Sequence, residues 1–127
     1  MNLEKVLFGF FLILALTLNV GFVIGDIENP THHSVVEFFF LVVVNLVATG
    51  LKLGDRTQIG ALLLATSLVA DLQLIAATGI WAFAAHVAEP GVTAEDIVHI
   101  VSLATGALVA NIISVTVFVA ETLMLRR

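Results

Sequence analysis

The sequence predicts an all-α fold, a polytopic membrane protein whose four transmembrane helices form an up-down bundle. Of its 127 residues, 60% are hydrophobic and only 12% are charged, whereas soluble domains carry about 25% charged residues. The mean hydropathy is +1.13, which leaves too little polar surface to cover a soluble core. Four apolar windows are long enough to cross a bilayer, and they predict a single domain over residues 1–127 with spans at about 6–25, 34–51, 58–85 and 97–125.

Each span is bounded by residues that begin or end helices. The first span is longer than the apolar core of a secretory signal, so we predict that it is retained. Asn29-Pro30-Thr31 precedes the second span, and proline favours the first turn of a helix. The segment from Gly54 to Thr57 supplies a helix-ending glycine and a capping candidate for the third span. After the Pro90-Gly91 turn, Thr93 and Asp96 have the spacing of a capping box for the fourth span.

The distribution of charge predicts how the spans are oriented. If the four spans cross alternately, every basic residue lies on one side, and this side is expected to be cytoplasmic and to hold both termini. These residues are Lys5, Lys52, Arg56, Arg126 and Arg127. The opposite side carries all four histidines and an acidic rim: His32, His33, His86, His99, Asp26, Glu28, Glu37, Glu89, Glu95 and Asp96.

Composition excludes several classes of function. The chain contains no Cys, which excludes disulfides, cysteine-based metal sites and thiol nucleophiles. Its net charge of −5 argues against a nucleic-acid partner, because phosphates require a basic face. No common catalytic or nucleotide-binding motif occurs, and the connections are too short to hold a catalytic domain. The sequence therefore predicts that the protein is not an enzyme and has no cofactor, with a bound divalent cation left open.

A carboxyl group in the middle of the third span is the most costly feature of the sequence. On insertion scales, an Asp at a helix centre costs about 2.5–3.5 kcal/mol, and no Lys or Arg lies at the depth of Asp71 to neutralise it. Asn45 and Asn111 lie near the middle of the second and fourth spans. We predict a buried layer of these three residues, which serves as a polar clasp between helices, as a proton or cation relay, or as a contact for a lipid or small ligand.

The second span predicts the mouth of a cation pathway. One face of this helix begins with Glu37, continues through the apolar Leu41 to Asn45 and Ala48, and ends at Lys52. Repeated around a symmetry axis, this face would place an acidic ring above a hydrophobic constriction. The alternative is that Phe38 to Val44 face lipid and that Glu37 lies among the headgroups.

Histidine and carboxylate side chains recur at helical spacing at the predicted outer ends of the helices. Such pairs bind Zn²⁺ or another borderline divalent cation, or sense pH through histidine protonation. The alternative is a hydrated acidic rim without a ligand. The candidate residues for this outer metal or pH-sensing site are His33, Glu37, His86, Glu95, Asp96 and His99.

Pairs of small residues four apart predict close helix approach, either within the bundle or between protomers. We also expect Asn19 to contact Glu37, because counting from the helix ends places them at similar depth. The pairs are Gly21 and Gly25, Ala61 and Ala65, and Gly106 and Ala110.

Four stretches carry a resemblance to a known family. They read Met-Asn-Leu-Glu-Lys-Val at residues 1–6, Gly-Asp-Ile-Glu-Asn-Pro at 25–30, Gly-Asp-Arg-Thr-Gln-Ile-Gly at 54–60 and Leu-Met-Leu-Arg-Arg at 123–127. In them the chain resembles a family of small, uncharacterised bacterial four-span proteins. The resemblance implies a location in the bacterial inner membrane and carries no activity.

Two functions follow as expectations. The first is a homo-oligomer in the lipid bilayer that forms or lines a pathway for Ca²⁺, Na⁺, K⁺ or H⁺, with Glu37, Asn45, Asp71 and Asn111 along it, since an acidic mouth concentrates cations. The second is a non-conducting scaffold or accessory subunit that binds a membrane protein partner.

Overall fold

A computed structural model describes residues 3–24, 35–53, 57–87, 89 and 91–125. These residues form four α-helices, and each helix coincides with one of the predicted windows to within three residues. The predicted all-α class is therefore confirmed. Of the four helices, α1, α3 and α4 are long and apolar enough to cross a membrane. The helices are α1 (Leu3–Ile24), α2 (Val35–Lys52), α3 (Gln58–His86) and α4 (Ala94–Leu125).

Side-chain caps fix where the last two helices begin. The amide of Gly60 donates to the Thr57 hydroxyl at 2.9 Å, which makes Thr57 the N-cap of α3. At the start of α4, the amide of Thr93 donates to the Asp96 carboxylate at 3.0 Å, and the Asp96 amide donates to the Thr93 hydroxyl at 3.2 Å. This reciprocal pair is the predicted capping box. Just before it, Gly91 adopts a φ of 104°, a left-handed conformation that favours glycine.

Several predicted features fall in segments outside the described residues. They include the connection at residues 25–34, with the Asn29-Pro30-Thr31 turn and His33, and the helix-ending Gly54. The basic residues Arg56, Arg126 and Arg127 belong to the same group.

The helices form a ring in which each helix contacts the next and α4 returns to α1. Neighbours are antiparallel, because the ring of Phe8 at the start of α1 lies 5.5 Å from that of Phe118 near the end of α4. At the opposite end of the bundle, the rings of Phe22 in α1 and Phe38 in α2 are 5.1 Å apart. This antiparallel order follows from the short connections between the helices.

Two apolar clusters fill the bundle, one toward each end. The larger cluster contains an aromatic trio of Phe22, Phe38 and Trp81, in which the Phe38 and Trp81 rings are 5.3 Å apart. The smaller cluster packs Phe8 against Leu12, Ala48 and Leu63 at the end that holds the start of α1. Five of the seven buried polar residues lie between these two clusters along their helices: Asn19, Asn45, Ser67, Asn111 and Ser114.

The outer surface of the bundle carries many large hydrophobic side chains. Large hydrophobic side chains such as Phe39, Leu72 and Phe83 are at least 60% exposed in the single chain. A helix that is apolar on all sides is typical of a membrane span, because lipid solvates the outer face.

The small residues predicted to allow close helix approach lie in two different environments. Gly106 in α4 receives the side chain of Gln73 from α3, so closely that a Cβ atom on Gly106 would lie 2.8 Å from Gln73 Cδ. Ala110 is buried in the same interface. Ala61 and Ala65, in contrast, are exposed on the surface of α3.

Candidate functional site

A layer of buried polar side chains crosses the middle of the bundle, and every helix contributes to it. Each of these residues is at most 7% exposed. Polar groups in a hydrocarbon environment must find partners within the protein, so their hydrogen bonds define the layer. Its members are Asn19 from α1, Asn45 and Thr49 from α2, Ser67 and Asp71 from α3, and Asn111 and Ser114 from α4.

The carboxyl group of Asp71 lies at the interface of α2 and α3. Thr49 donates to Asp71 Oδ2 at 2.5 Å, and the same hydroxyl lies 3.0 Å from the backbone carbonyl of Asn45. Asp71 is 6% exposed. Its other oxygen, Oδ1, is buried and has no hydrogen-bond partner among the residues that the structure describes. One oxygen of the carboxyl group is thus hydrogen-bonded, and the other has no partner among the described residues.

The predicted layer of Asn45, Asp71 and Asn111 is buried as expected, but its members do not form one network. The Asn45 amide donates to the carbonyl of Leu41 in its own helix, at 2.9 Å. Asn45 therefore reaches Asp71 only through its backbone carbonyl and the hydroxyl of Thr49.

Asn111 belongs to a second network between α1 and α4. With the Asn19 amide oriented to satisfy both of its ends, Asn19 Nδ2 donates to the Ala104 carbonyl at 2.9 Å. Its Oδ1 accepts from Asn111 Nδ2 and from the Leu108 amide, each at 3.0 Å. The partners of Asn19 thus lie on α4, and the predicted contact with Glu37 was wrong. Tilt and rotation of the helices, which depth alone does not give, decide this pairing.

Replacing one member of the amide pair should destabilise the protein more than replacing both. Asn19→Leu leaves the Asn111 amide unpaired in an apolar interior and is expected to lower the free energy of unfolding by about 1–2 kcal/mol. The double variant, Asn19→Leu with Asn111→Leu, removes both groups and should recover part of this loss. Unfolding by sodium dodecyl sulfate in mixed micelles measures both values. Additive losses would contradict a direct bond between the two side chains.

A third contact joins α3 to α4. The hydroxyls of Thr66 and Ser114 are 2.5 Å apart, and Thr66 also donates to the carbonyls of Leu62 and Leu63 in its own helix. Neither this pair nor the contact made by Thr49 was predicted from the sequence. The one available signal was spacing, because Thr49 follows Asn45 by four residues and lies on the same face of α2.

The face of α2 that begins with Glu37 points into the bundle of the single chain. Leu41, Val44 and Ala48 on this face are all buried. Glu37 is half-buried, and its Oε2 lies close to Gly21 of α1. If residue 21 had a Cβ atom, this atom would lie 3.9 Å from Glu37 Oε2. In this arrangement the predicted apolar constriction packs inside the single chain, whereas Phe39, Phe40 and Val43 are exposed.

The histidines of the described segments do not converge. His99 Nε2 lies 3.8 Å from Glu95 Oε1, both side chains are largely exposed, and this distance is too long for a hydrogen bond. Asp96 is engaged in the α4 cap, and His86 is exposed at the end of α3. Within the described ranges, no group of three or more His, Asp or Glu residues is placed to hold a metal ion. His33, the remaining candidate, lies outside these ranges.

Three of the grooves on the outer surface of the bundle are lined by described residues. The first, of about 600 Å³, lies between α2 and α3 and extends from Leu46 past Trp81 to His86. A second, between α3 and α4, includes Gln73 and Gly106, and the third lies between α1 and α4 near Gly9. None of these three grooves is lined by Asp71.

Comparison with known proteins places most of the bundle in one family. The sequence model of a family of unknown function, DUF6394, matches residues 32–122, which include α2, α3 and most of α4. No curated protein and no solved structure matches the chain.

Proposed function

The chain belongs to DUF6394, a family of unknown function, and from its buried polar layer we propose that it is a membrane protein with a cation pathway, in which Asp71 binds the cation. One observation carries this proposal. Asp71 is buried in the middle of an apolar helix, and its Oδ1 has no partner among the described side chains and backbone groups. An ionisable group at such a depth is a candidate functional site by default, because its burial is costly.

The contrast with the amide pair supports a role beyond packing. Asn19 and Asn111 hold α1 against α4, and both ends of the Asn19 amide are satisfied by α4. An amide or a hydroxyl at position 71 could join α2 to α3 in the same way, without the cost of a carboxyl group. A half-bonded carboxyl group instead suits a site that takes up and releases a cation.

The proposed pathway is placed in a bacterial inner membrane, with all four helices crossing it and both termini in the cytoplasm. The distribution of Lys residues supports this orientation, since the described ones, Lys5 and Lys52, both lie at the same end of the bundle. The oligomer expected from the sequence is part of the proposal, although Asp71 and Thr49 already meet within a single chain.

Single-cysteine labelling tests this orientation, because the chain contains no Cys. We expect a membrane-impermeant maleimide applied to sealed spheroplasts to label Glu89→Cys and to spare Leu3→Cys and Leu53→Cys, all at exposed positions. Lysis should expose all three. If Leu3→Cys and Leu53→Cys were labelled from opposite sides, only one of α1 and α2 would cross the membrane.

Flux measurements in proteoliposomes test the function itself. The wild-type protein is reconstituted in sealed vesicles, and gradients of H⁺, Na⁺, K⁺ and Ca²⁺ are imposed one at a time. We expect at least one cation to move faster than in protein-free vesicles made with the same lipid and detergent. Equal rates for every ion, with correctly folded protein present in the vesicles, would overturn the proposal.

The second candidate function is a non-conducting scaffold or accessory subunit. It is favoured by two observations: Ala61 and Ala65 are exposed on α3, where small residues allow a partner helix to approach, and no groove described above reaches Asp71. The absence of flux under every gradient would support this function.

A further inference from the structure

We propose that the cation held at Asp71 is a proton, located between Asp71 Oδ2 and Thr49 Oγ1. The inference names the ion of the site described above, and its meaning for transport rests on the proposed cation pathway. It is carried by the geometry around the Thr49 hydroxyl and by the neutral surroundings of the carboxyl group.

The hydroxyl of Thr49 has more acceptors in reach than protons to donate. Its hydroxyl has one proton to donate, yet two acceptors lie in reach, the Asn45 carbonyl at 3.0 Å and Asp71 Oδ2 at 2.5 Å. If Asp71 is ionised, these acceptors compete for that proton and Oδ1 carries charge without a partner. If Oδ2 is protonated, Asp71 donates to Thr49 and Thr49 donates to Asn45. Each proton is then used once, and no buried charge remains.

A metal ion at Asp71 would need more oxygen ligands than this site offers. Ca²⁺ takes six to eight oxygen ligands and Mg²⁺ takes an octahedral set, according to their general coordination chemistry. Among the described residues, the hydrogen bonds of Asp71 bring together one carboxyl group and one hydroxyl, that of Thr49. The Asn45 amide is turned toward Leu41, and the amides of Asn19 and Asn111 are bonded to each other. A proton needs no coordination shell and fits this donor set.

The groups that surround Asp71 are uncharged. From α2 the group that faces Asp71 is the neutral Thr49, and the buried polar groups of α1 and α4 are amides and a hydroxyl. The base on α2 is Lys52, whose Nζ lies 4.8 Å above the centre of the Phe8 ring. Among the described residues no base forms an ion pair with Asp71, so a proton is what neutralises the carboxyl group. The other titratable side chains in the described helices lie toward the helix ends: Glu4, Lys5, Glu37, His86, Glu95, Asp96, His99 and Glu121.

Infrared spectroscopy of the reconstituted protein tests this assignment. At neutral pH we expect a C=O stretching band of a protonated carboxylic acid, which is absent in Asp71→Asn and retained in Glu4→Gln, the same chemical change at an exposed position on α1. Thr49→Val should shift the band to higher frequency, because the acid loses its hydrogen-bond partner. Thr49→Ser should restore its position. Trp81 fluorescence verifies that each variant is folded.

Two results would overturn the proposal. One is the absence of the band in folded wild-type protein at neutral pH, which would show that Asp71 is ionised. The other is loss of the band when Na⁺, K⁺ or Ca²⁺ is added at constant pH, which would show that a metal cation replaces the proton. The infrared and flux measurements test the two proposals separately. A carboxylic acid band without flux would support the proton at Asp71 and contradict the cation pathway. Flux without the band would support the pathway and contradict the proton.

Discussion

Asp71→Asn is expected to reduce cation flux in proteoliposomes to the level of protein-free vesicles. Asn has nearly the shape of Asp, and its amide can still bond to Thr49, so the helices should stay packed. It cannot alternate between a neutral and a charged form, and alternation is what a cation-binding carboxyl group contributes to a pathway. The measurement compares initial rates at matched amounts of reconstituted protein, using the ion that moves fastest in the wild type.

Two further variants make the result specific. Glu4→Gln removes a carboxylate from the exposed first turn of α1 and should leave the rate unchanged. Glu37→Gln should lower the rate mainly at low cation concentration and low ionic strength, because a charge near the mouth raises the local cation concentration. A wild-type rate in folded Asp71→Asn would remove Asp71 from the pathway.

Phe22→Ala is expected to have the largest effect on stability. Phe22 is fully buried, and its ring lies 5.1 Å from the Phe38 ring and 6.1 Å from that of Trp81. The cavity left by truncation should lower the free energy of unfolding by about 3 kcal/mol, the lower end of the usual range for Phe. The lower end applies because lipid, rather than water, already solvates the side chain before the helices associate.

The single tryptophan of the chain makes this effect measurable. Trp81 packs in the aromatic trio, so its fluorescence reports unfolding in mixed micelles as the fraction of sodium dodecyl sulfate is raised. Phe39→Ala is the matched control, since Phe39 lies beside Phe38 in the sequence but is 63% exposed. This substitution should lower the free energy of unfolding only slightly. Equal losses for the two variants would contradict the packing of the trio.

The helices could be predicted from the sequence because their signals are local. Hydropathy located all four, and the spacing of Thr93 and Asp96 predicted the cap of α4 that their reciprocal hydrogen bonds confirm. The cost of burying a carboxyl group made Asp71 a candidate by residue type and depth alone; its burial is confirmed, and its role stays a prediction. Each of these predictions uses only signals that lie within a single helix.

Partners across the bundle could not be predicted in the same way. Depth placed Asn19 near Glu37, but rotation of α1 about its axis turns the amide toward α4. Thr49 was missed for a different reason. Thr78 and Thr105 donate to carbonyls of their own helices, as threonines in helices commonly do, so residue type did not distinguish Thr49 from them.

Thr49 lies nearer to one end of α2 than to the other, and this position determines how much of a membrane voltage lies on each side of it. Thr49 lies one turn from the end of α2 at Lys52, whereas most of the helix, including Phe38 of the aromatic trio, lies on the other side of it. In a membrane, voltage falls mainly across the dry part of a protein. One elementary charge moved through 100 mV corresponds to about 2.3 kcal/mol of work. In the proposed pathway, a charge that moves from Asp71 past the trio therefore crosses the larger share of the potential, and this step is expected to depend more strongly on voltage than a step past Lys52.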